Sequence, residues 1–235
     1  MDKLYIIIPA YNEEANVANV IKDWYPIVEQ IGNGSKLVVI DDGSKDSTFA
    51  IMQEMAKNLP AFEPITKQNS GHGATLLYGY RYAIDAGADY IFQTDSDGQT
   101  IPFEFWPFWN VRNNYDMVIG NRNKRQDGLS RIFVTKILKL VLRISFGVTL
   151  ADANTPFRLM KTSILKQHID LIPDNFNLSN VMIAVIYAKR NLAMKYLPVT
   201  FRKRQGGVNS INMKRIFKIG KQAWRDFRRI NQSLS

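Results

Sequence analysis

The chain has no cysteine and only two histidines, His72 and His168, among its 235 residues. Disulfides and thiolate metal sites are therefore excluded, and a zinc site built on imidazoles lacks its ligands. No stretch reaches the roughly 18 uninterrupted apolar residues of a membrane-spanning helix. A strand-like run starts at Leu4, which leaves no room for a signal peptide and makes a cytoplasmic protein the expectation. Acidic residues are scarce in one half only. Residues 1–120 carry 8 Lys and Arg against 16 Asp and Glu, whereas residues 121–235 carry 23 against 5. The basic half should meet phosphates, whether of a lipid, a membrane surface or a nucleic acid. A hydrophobic content of 46% argues for a real core and against disorder.

The first half alternates short apolar runs with helical stretches. Strands are expected at Leu4–Ile8, Lys36–Ile40, Glu63–Lys67, Tyr90–Thr94 and Asp116–Gly120. Helices are expected from about Glu13 to Ile31, from Asp46 or Ser47 to Asn58, and from Gly71 to Ala86. Such alternation predicts parallel strands joined by right-handed crossovers, an open α/β sheet whose ligands bind beyond the carboxyl ends of its strands. The second half is less regular. Phe157–Met160 and Met194–Phe201 read as strands, Ser163–Ile169 and Leu178–Lys189 as helices. Arg131–Phe146 and Ile211–Ile230 read as basic amphipathic helices, whose basic faces are either solvated or suited to a membrane interface.

Polar loops follow four of the expected strands and should crowd one sheet edge. Asp95-Ser96-Asp97 follows the fourth, and two carboxylates so spaced can reach one hard cation, although the same pattern also caps helices and turns. Oxygen ligands suit Mg²⁺ or Mn²⁺, ions that usually sit between carboxylates and a substrate diphosphate. Asp41 and Asp42, before Gly43, can accept hydrogen bonds from a base or ribose, or cap the turn. Gly71-His72-Gly73 opens a helix where a backbone can approach a phosphate, or forms a plain turn.

Together these motifs carry a resemblance. Ile8-Pro9-Ala10-Tyr11-Asn12-Glu13-Glu14, Val39–Thr48, Asn69–Ala74 and Asp95-Ser96-Asp97-Gly98-Gln99 occur in order over about the first 120 residues. Thinner matches follow at Gly120-Asn121-Arg122, Asp152–Arg158 and Phe201–Gly207. The chain resembles family 2 inverting glycosyltransferases, and within them the polyprenyl-phosphate (dolichyl-phosphate) sugar synthases. The resemblance implies a GT-A, Rossmann-like, open mixed sheet with helices on both faces, in one domain over residues 1–235. Residues 1–120 would be the nucleotide-sugar donor half and 121–235 the acceptor half.

By the resemblance, Pro9, Tyr11, Glu13, Asp41, Asp42, Gly71, Gly73, Asp95 and Ser96 line the donor site. Pro9 and Glu13 would serve equally as strand stop and first-turn charge. Asp95, Asp97 and Gln99 would hold Mg²⁺ or Mn²⁺. Arg122, Arg131, Arg158 and Arg204 stand in matching places to bind an acceptor phosphate. Asp152 is the plausible base among the five acids of the second half, or else a partner of Arg122 or Arg158. A lipid phosphate is already an anion and needs no base, whereas a saccharide hydroxyl does.

The implied activity is transfer of a UDP- or GDP-linked hexose to a polyprenyl phosphate, the catalytic set being Asp97, Arg122, Arg131, Arg204 and Asp152. The same fold acting on a saccharide hydroxyl, with Asp152 as base, is the alternative. A nucleic-acid binder would account for the charge and for none of the first 120 residues, so no nucleic-acid partner is expected. The acceptor implies peripheral attachment to the cytoplasmic face of a membrane, with room for a separate membrane-anchoring subunit.

Overall fold

The computed structural model describes residues 2–122 and 129–202, without the side chains of residues 129–137. The expected tail helix at Ile211–Ile230 lies outside the described residues.

A single seven-stranded sheet organises them, in the order β3-β2-β1-β4-β6-β5-β7. β1 (Leu4–Ala10), β2 (Lys36–Asp41), β3 (Phe62–Thr66) and β4 (Tyr90–Gln93) run parallel, each crossover containing a helix. These are α1 (Val17–Ile31), α2 (Thr48–Ala56) and α3 (His72–Asp85). The apolar runs of β1 and β2 are buried because helices cover both sheet faces, as parallel sheets require. Residues alternate between two cores. Ile7, Val38, Ile40 and Ile91 pack under α3, while Leu4, Ile6, Ile8 and Phe92 pack under α1.

The regular alternation breaks after β4. β5 (Met117–Arg122) is not its neighbour. β6 (Arg158–Lys161), from the second half, enters between them antiparallel to both, with Gln93 opposite Arg158. β7 (Met194–Val199) then pairs in parallel with β5. Both halves therefore build one sheet, and the second half reaches the centre of it.

α4 (Phe105–Asn110), unread in the sequence, is nearly all aromatic. Phe105 sits edge-on to Phe92 at 5.0 Å, and Phe157 does so from the other side at 4.8 Å. α1 starts at Val17 rather than near Glu13, because Glu13–Asn16 form a turn in which the Glu13 carbonyl accepts from Asn16 and Val17. The rest of the described chain is α5 (Leu129–Phe146), α6 (Thr162–His168) and α7 (Ser179–Lys189). α7 is buried along nearly its whole length, which explains why its sequence shows no polar face.

Candidate active site

The carboxyl ends of β1, β2 and β4 bring the expected donor loops to one edge. The loops after β1 and β2 are stitched together. Asn12, at φ 52°, donates its N–H to Ser44 Oγ at 2.9 Å and accepts from the Lys45 N–H at 2.9 Å. Glu14 and Asp46 exchange bonds with the backbones of Ser47 and Glu14. Glu13 is buried and accepts from Asn16 Nδ2 at 2.7 Å, and Pro9 is a buried strand residue, so both have a visible job in holding this loop. Tyr11 is different, with 44% of its surface exposed.

Asp41 and Asp42 are both buried, and both are already bonded within the chain. Asp41 accepts from the Ser44 N–H at 3.1 Å and from Thr66 Oγ1 at 2.7 Å. Asp42 pairs with Lys67 and accepts the N–H groups of Ser70 and Gly71 at 2.9 and 2.8 Å. Burial pushes the Asp42 carboxyl up, but Lys67 and these N–H groups outweigh it and hold its pKa below the ordinary value. A nucleoside would share the Asp41 oxygens, which have lone pairs to spare, rather than find them open. Lys67 carried no motif in the sequence; its place just after β3, on the same edge, was the available signal.

The glycines before and in α3 have structural reasons of their own, beside the phosphate approach expected from sequence. Gly71 has φ 89°, which favours glycine, and its N–H is committed to Asp42. At Gly73 a Cβ would lie 2.2 Å from the Phe176 carbonyl oxygen, so it is the backbone of 176–177 that comes close. Ser179 Oγ also donates to the Gly73 carbonyl at 3.0 Å. The turn thus locks the first half onto the loop leading to α7.

Asp95, Ser96 and Asp97 leave β4 as a tight loop, with Ser96 buried and Gly98 at φ 70°. Asp97 Oδ1 accepts the Gln99 N–H at 3.1 Å, a local turn of the kind aspartate favours. Gln99 Nε2 donates to the Arg202 carbonyl at 2.9 Å, and the Arg202 N–H donates to the Gln99 carbonyl at 2.8 Å. The start of the tail is therefore tied to this loop. Half-exposed His72 places Nε2 3.2 Å from Asp95 Oδ1. Burial opposes a charge on that ring, but Asp95, with Asp42 and Asp97 beyond it, outweighs burial and raises the imidazole pKa. Among the described residues no group of three or more His, Asp or Glu gathers as a metal cluster. Asp95, Asp97 and the Gln99 amide fit a hard cation as an oxygen donor set, one that needs substrate and water oxygens to complete it.

In the second half, Arg122 ends β5 with its guanidinium over the Phe201 ring at 4.5 Å. Its Nε lies 3.6 Å from Asp152 Oδ2 and is buried, with no hydrogen-bond partner among the described residues. Asp152 is itself buried and accepts the Asn154 N–H at 3.3 Å. Arg158 corrects the sequence reading. It is fully buried, and its N–H groups go to the carbonyls of Thr155 at 3.2 and 2.8 Å, Ala153 at 3.1 Å and Asn180 at 2.8 Å. So enclosed, it does not reach an acceptor phosphate. The side chain of Arg131, and Arg204 altogether, lie outside the described residues.

The model of the family described as glycosyl transferase family 2 matches residues 5–169, a span covering every donor loop described above. The chain belongs to glycosyl transferase family 2. Among curated proteins it is 30% identical over 188 residues to a UDP-N-acetylglucosamine–dolichyl-phosphate N-acetylglucosaminyltransferase of Methanococcus voltae, covering 70% of this chain and 72% of that one. It is 26% identical over 207 residues to an undecaprenyl-phosphate 4-deoxy-4-formamido-L-arabinose transferase of Pseudomonas fluorescens. That match covers 83% of this chain and 60% of the relative, so the chain spans well under two thirds of the relative's length. Among solved structures, glucosyl-3-phosphoglycerate synthase of Mycobacterium tuberculosis, in complex with Mn²⁺, UDP and glucosyl-3-phosphoglycerate, superposes with TM-score 0.68 at 17% identity. It covers 98% of this chain and 80% of that one, and the shared architecture is the GT-A fold.

Proposed function

We propose that this chain transfers a hexose, with inversion, from a nucleoside diphosphate sugar to a polyprenyl phosphate, and that Asp95, Asp97 and Gln99 hold Mg²⁺ or Mn²⁺ for it. The observation that carries the choice of acceptor is the Asp152–Arg122 pair. The plausible base of the second half is buried 3.6 Å from a guanidinium at the end of β5, an arrangement that presents positive charge rather than removes a proton. The names of the two curated relatives, both polyprenyl-phosphate sugar transferases, support the same acceptor.

In this reading the loops after β1 to β4 bind the nucleotide. Tyr11, the exposed aromatic among them, offers its ring to the base. When bound, the divalent cation would supply neutralisation of the charge on the departing diphosphate. Arg122, propped by Asp152 and stacked on Phe201, holds the acceptor phosphate on the opposite side of the sugar ring. A phosphate oxygen forms the new bond to the anomeric carbon as the bond to the diphosphate breaks. No side chain needs to accept a proton. Arg131 and Arg204 join Arg122 in this role, and residues 1–120 and 121–235 act as donor and acceptor halves of one domain.

We further assign the chain to the cytoplasmic face of a membrane as a peripheral protein. α5 exposes Leu140 and Ile144, 58% and 66% accessible, beside exposed Lys139 and Arg143, a face suited to an anionic interface. No helix of the described residues is long and apolar enough to cross a membrane. A separate anchoring subunit is part of the same proposal.

The test is incubation of the protein with Mn²⁺ or Mg²⁺, liposomes holding a polyprenyl phosphate, and labelled UDP-glucose, UDP-N-acetylglucosamine or GDP-mannose. Label from one donor should enter an acid-labile, organic-extractable product, and EDTA should abolish it. Label passing only to a soluble saccharide, in a reaction lost in Asp152→Asn, would overturn the lipid acceptor.

A further inference from the structure

Behind Asp95, on the sheet face covered by α3 and α7, four polar side chains are sealed from solvent. Gln93, Tyr80 and Arg158 are 0% exposed and Asn180 3%. Their neighbours in that core are apolar, among them Ile91, Met160 and Val181. The antiparallel register sets Gln93 directly opposite Arg158. The Tyr80 hydroxyl lies 3.2 Å from Gln93 Oε1 and 3.4 Å from Asn180 Oδ1. Gln93 Nε2 lies 3.5 Å from Asp95 Oδ1. Arg158 Nη1 donates to the Asn180 carbonyl at 2.8 Å, and its other N–H groups fasten residues 153 and 155.

A phenol has one proton and cannot donate to two amide oxygens at once. Turning the Asn180 amide so that its NH₂ faces Tyr80 removes this conflict, amide orientation being a matter of the network around it. The bonds then run one way: Asn180 to Tyr80, Tyr80 to Gln93, and Gln93 to the Asp95 carboxylate. Apolar residues of like shape would fill the same space without the desolvation cost of four buried polar groups. Packing alone therefore does not account for them. What they share is where the chain of bonds ends.

We propose that Arg158, Asn180, Tyr80 and Gln93 are positioning residues that fix the orientation of the Asp95 carboxylate for a divalent cation. Through them the second half of the chain sets the metal loop of the first. The proposal rests on the reading of Asp95 as a metal ligand. Ligating carboxylates are oriented by hydrogen bonds from outside the coordination shell, and losing such a partner typically weakens metal binding about 10–100-fold. His72 touches the same oxygen from the solvent side. The buried chain is the support that solvent cannot replace. Arg158 also holds the loop after Asp152, the partner of Arg122, so one buried guanidinium stands behind both the metal loop and the acceptor arginine.

The test is a Mn²⁺ titration of the full chain followed by electron paramagnetic resonance, with UDP or GDP present. Tyr80→Phe removes one hydroxyl, and Gln93→Met removes the donor to Asp95 at nearly constant volume. Ile91→Val, a packing change on the same strand and face, reports what loss of stability alone does. Mn²⁺ affinity should fall about 10-fold in Tyr80→Phe and in Gln93→Met and stay at the wild-type value in Ile91→Val. Turnover should recover in the two polar variants at saturating Mn²⁺. Wild-type affinity in both polar variants overturns the relay and leaves the metal site standing. Absence of Mn²⁺ binding by the wild-type chain overturns both.

Discussion

In the donor half a buried carboxylate, Asp42, is answered by donors; in the second half a buried guanidinium, Arg158, is answered by acceptors. Asp42 collects Lys67 and the N–H groups of Ser70 and Gly71. Arg158 collects the carbonyls of Thr155, Ala153 and Asn180. Both groups shape loops at the same sheet edge, one at the proposed nucleotide site and one behind the proposed acceptor arginine. Charges that look like ligand contacts in the sequence are thus partly scaffolding. The groups proposed to act are those beside them: Tyr11, Asp95 and Asp97 on one side, and Arg122 on the other.

The sharpest way to break this division is at a group assigned to act. Asp97→Asn should lower transfer by about 10²–10³-fold or more, the usual scale for losing a preorganised electrostatic element, with folding intact by circular dichroism. A variant with undiminished turnover would return Asp97 to a turn-forming role. At a scaffolding charge the large effect should be on stability. Arg158→Met leaves buried carbonyls unanswered and should cost about 3–5 kcal/mol in urea denaturation. A loss of less than about 1 kcal/mol would mean that solvent reaches the site. Gly73→Ala should cost about 1–3 kcal/mol, read as a lower Tm, because its methyl group would meet the Phe176 carbonyl at 2.2 Å.

The smallest effect concerns acid. Asp42's pKa is lowered in the folded chain, so it contributes stability in full above the ordinary aspartate value of about 3.9. That contribution is lost as pH falls through the lower folded value. Asp42→Asn should be less stable than wild type at neutral pH and lose less on acidification below pH 4. Parallel curves for the two proteins would contradict the pairing with Lys67.

Much of this arrangement was legible in the residues. The β-branched runs at Leu4–Ile8 and Lys36–Ile40 are strands, and the loops that follow them do meet at one edge. Four features were not legible, each for a physical reason. Phe157–Met160 reads as a strand, and one forms at Arg158–Lys161, but strand pairing is a long-range property, and nothing in four residues says that β6 enters antiparallel between β4 and β5. Phe105–Asn110 is apolar on nearly every side with Pro107 inside, so it carries no helical period. Arg158 reads as a ligand because three backbone carbonyls converging from residues 153, 155 and 180 leave no mark in sequence. Tyr80 and Asn180 were invisible for the same reason, being mid-helix and early-helix residues 100 positions apart.

The measurement that bears most directly on the central claim is the pH–rate profile of lipid transfer in wild type and in Asp152→Asn. On the proposed mechanism the acceptor phosphate is its own nucleophile, with a second ionisation near pH 6 by analogy with phosphoryl groups on side chains. The profile should keep its rising limb in Asp152→Asn, while KM for the lipid phosphate rises as Arg122 loses its partner. A limb that disappears in Asp152→Asn, with KM unchanged, would show that Asp152 removes a proton and would contradict an acceptor phosphate that needs no base.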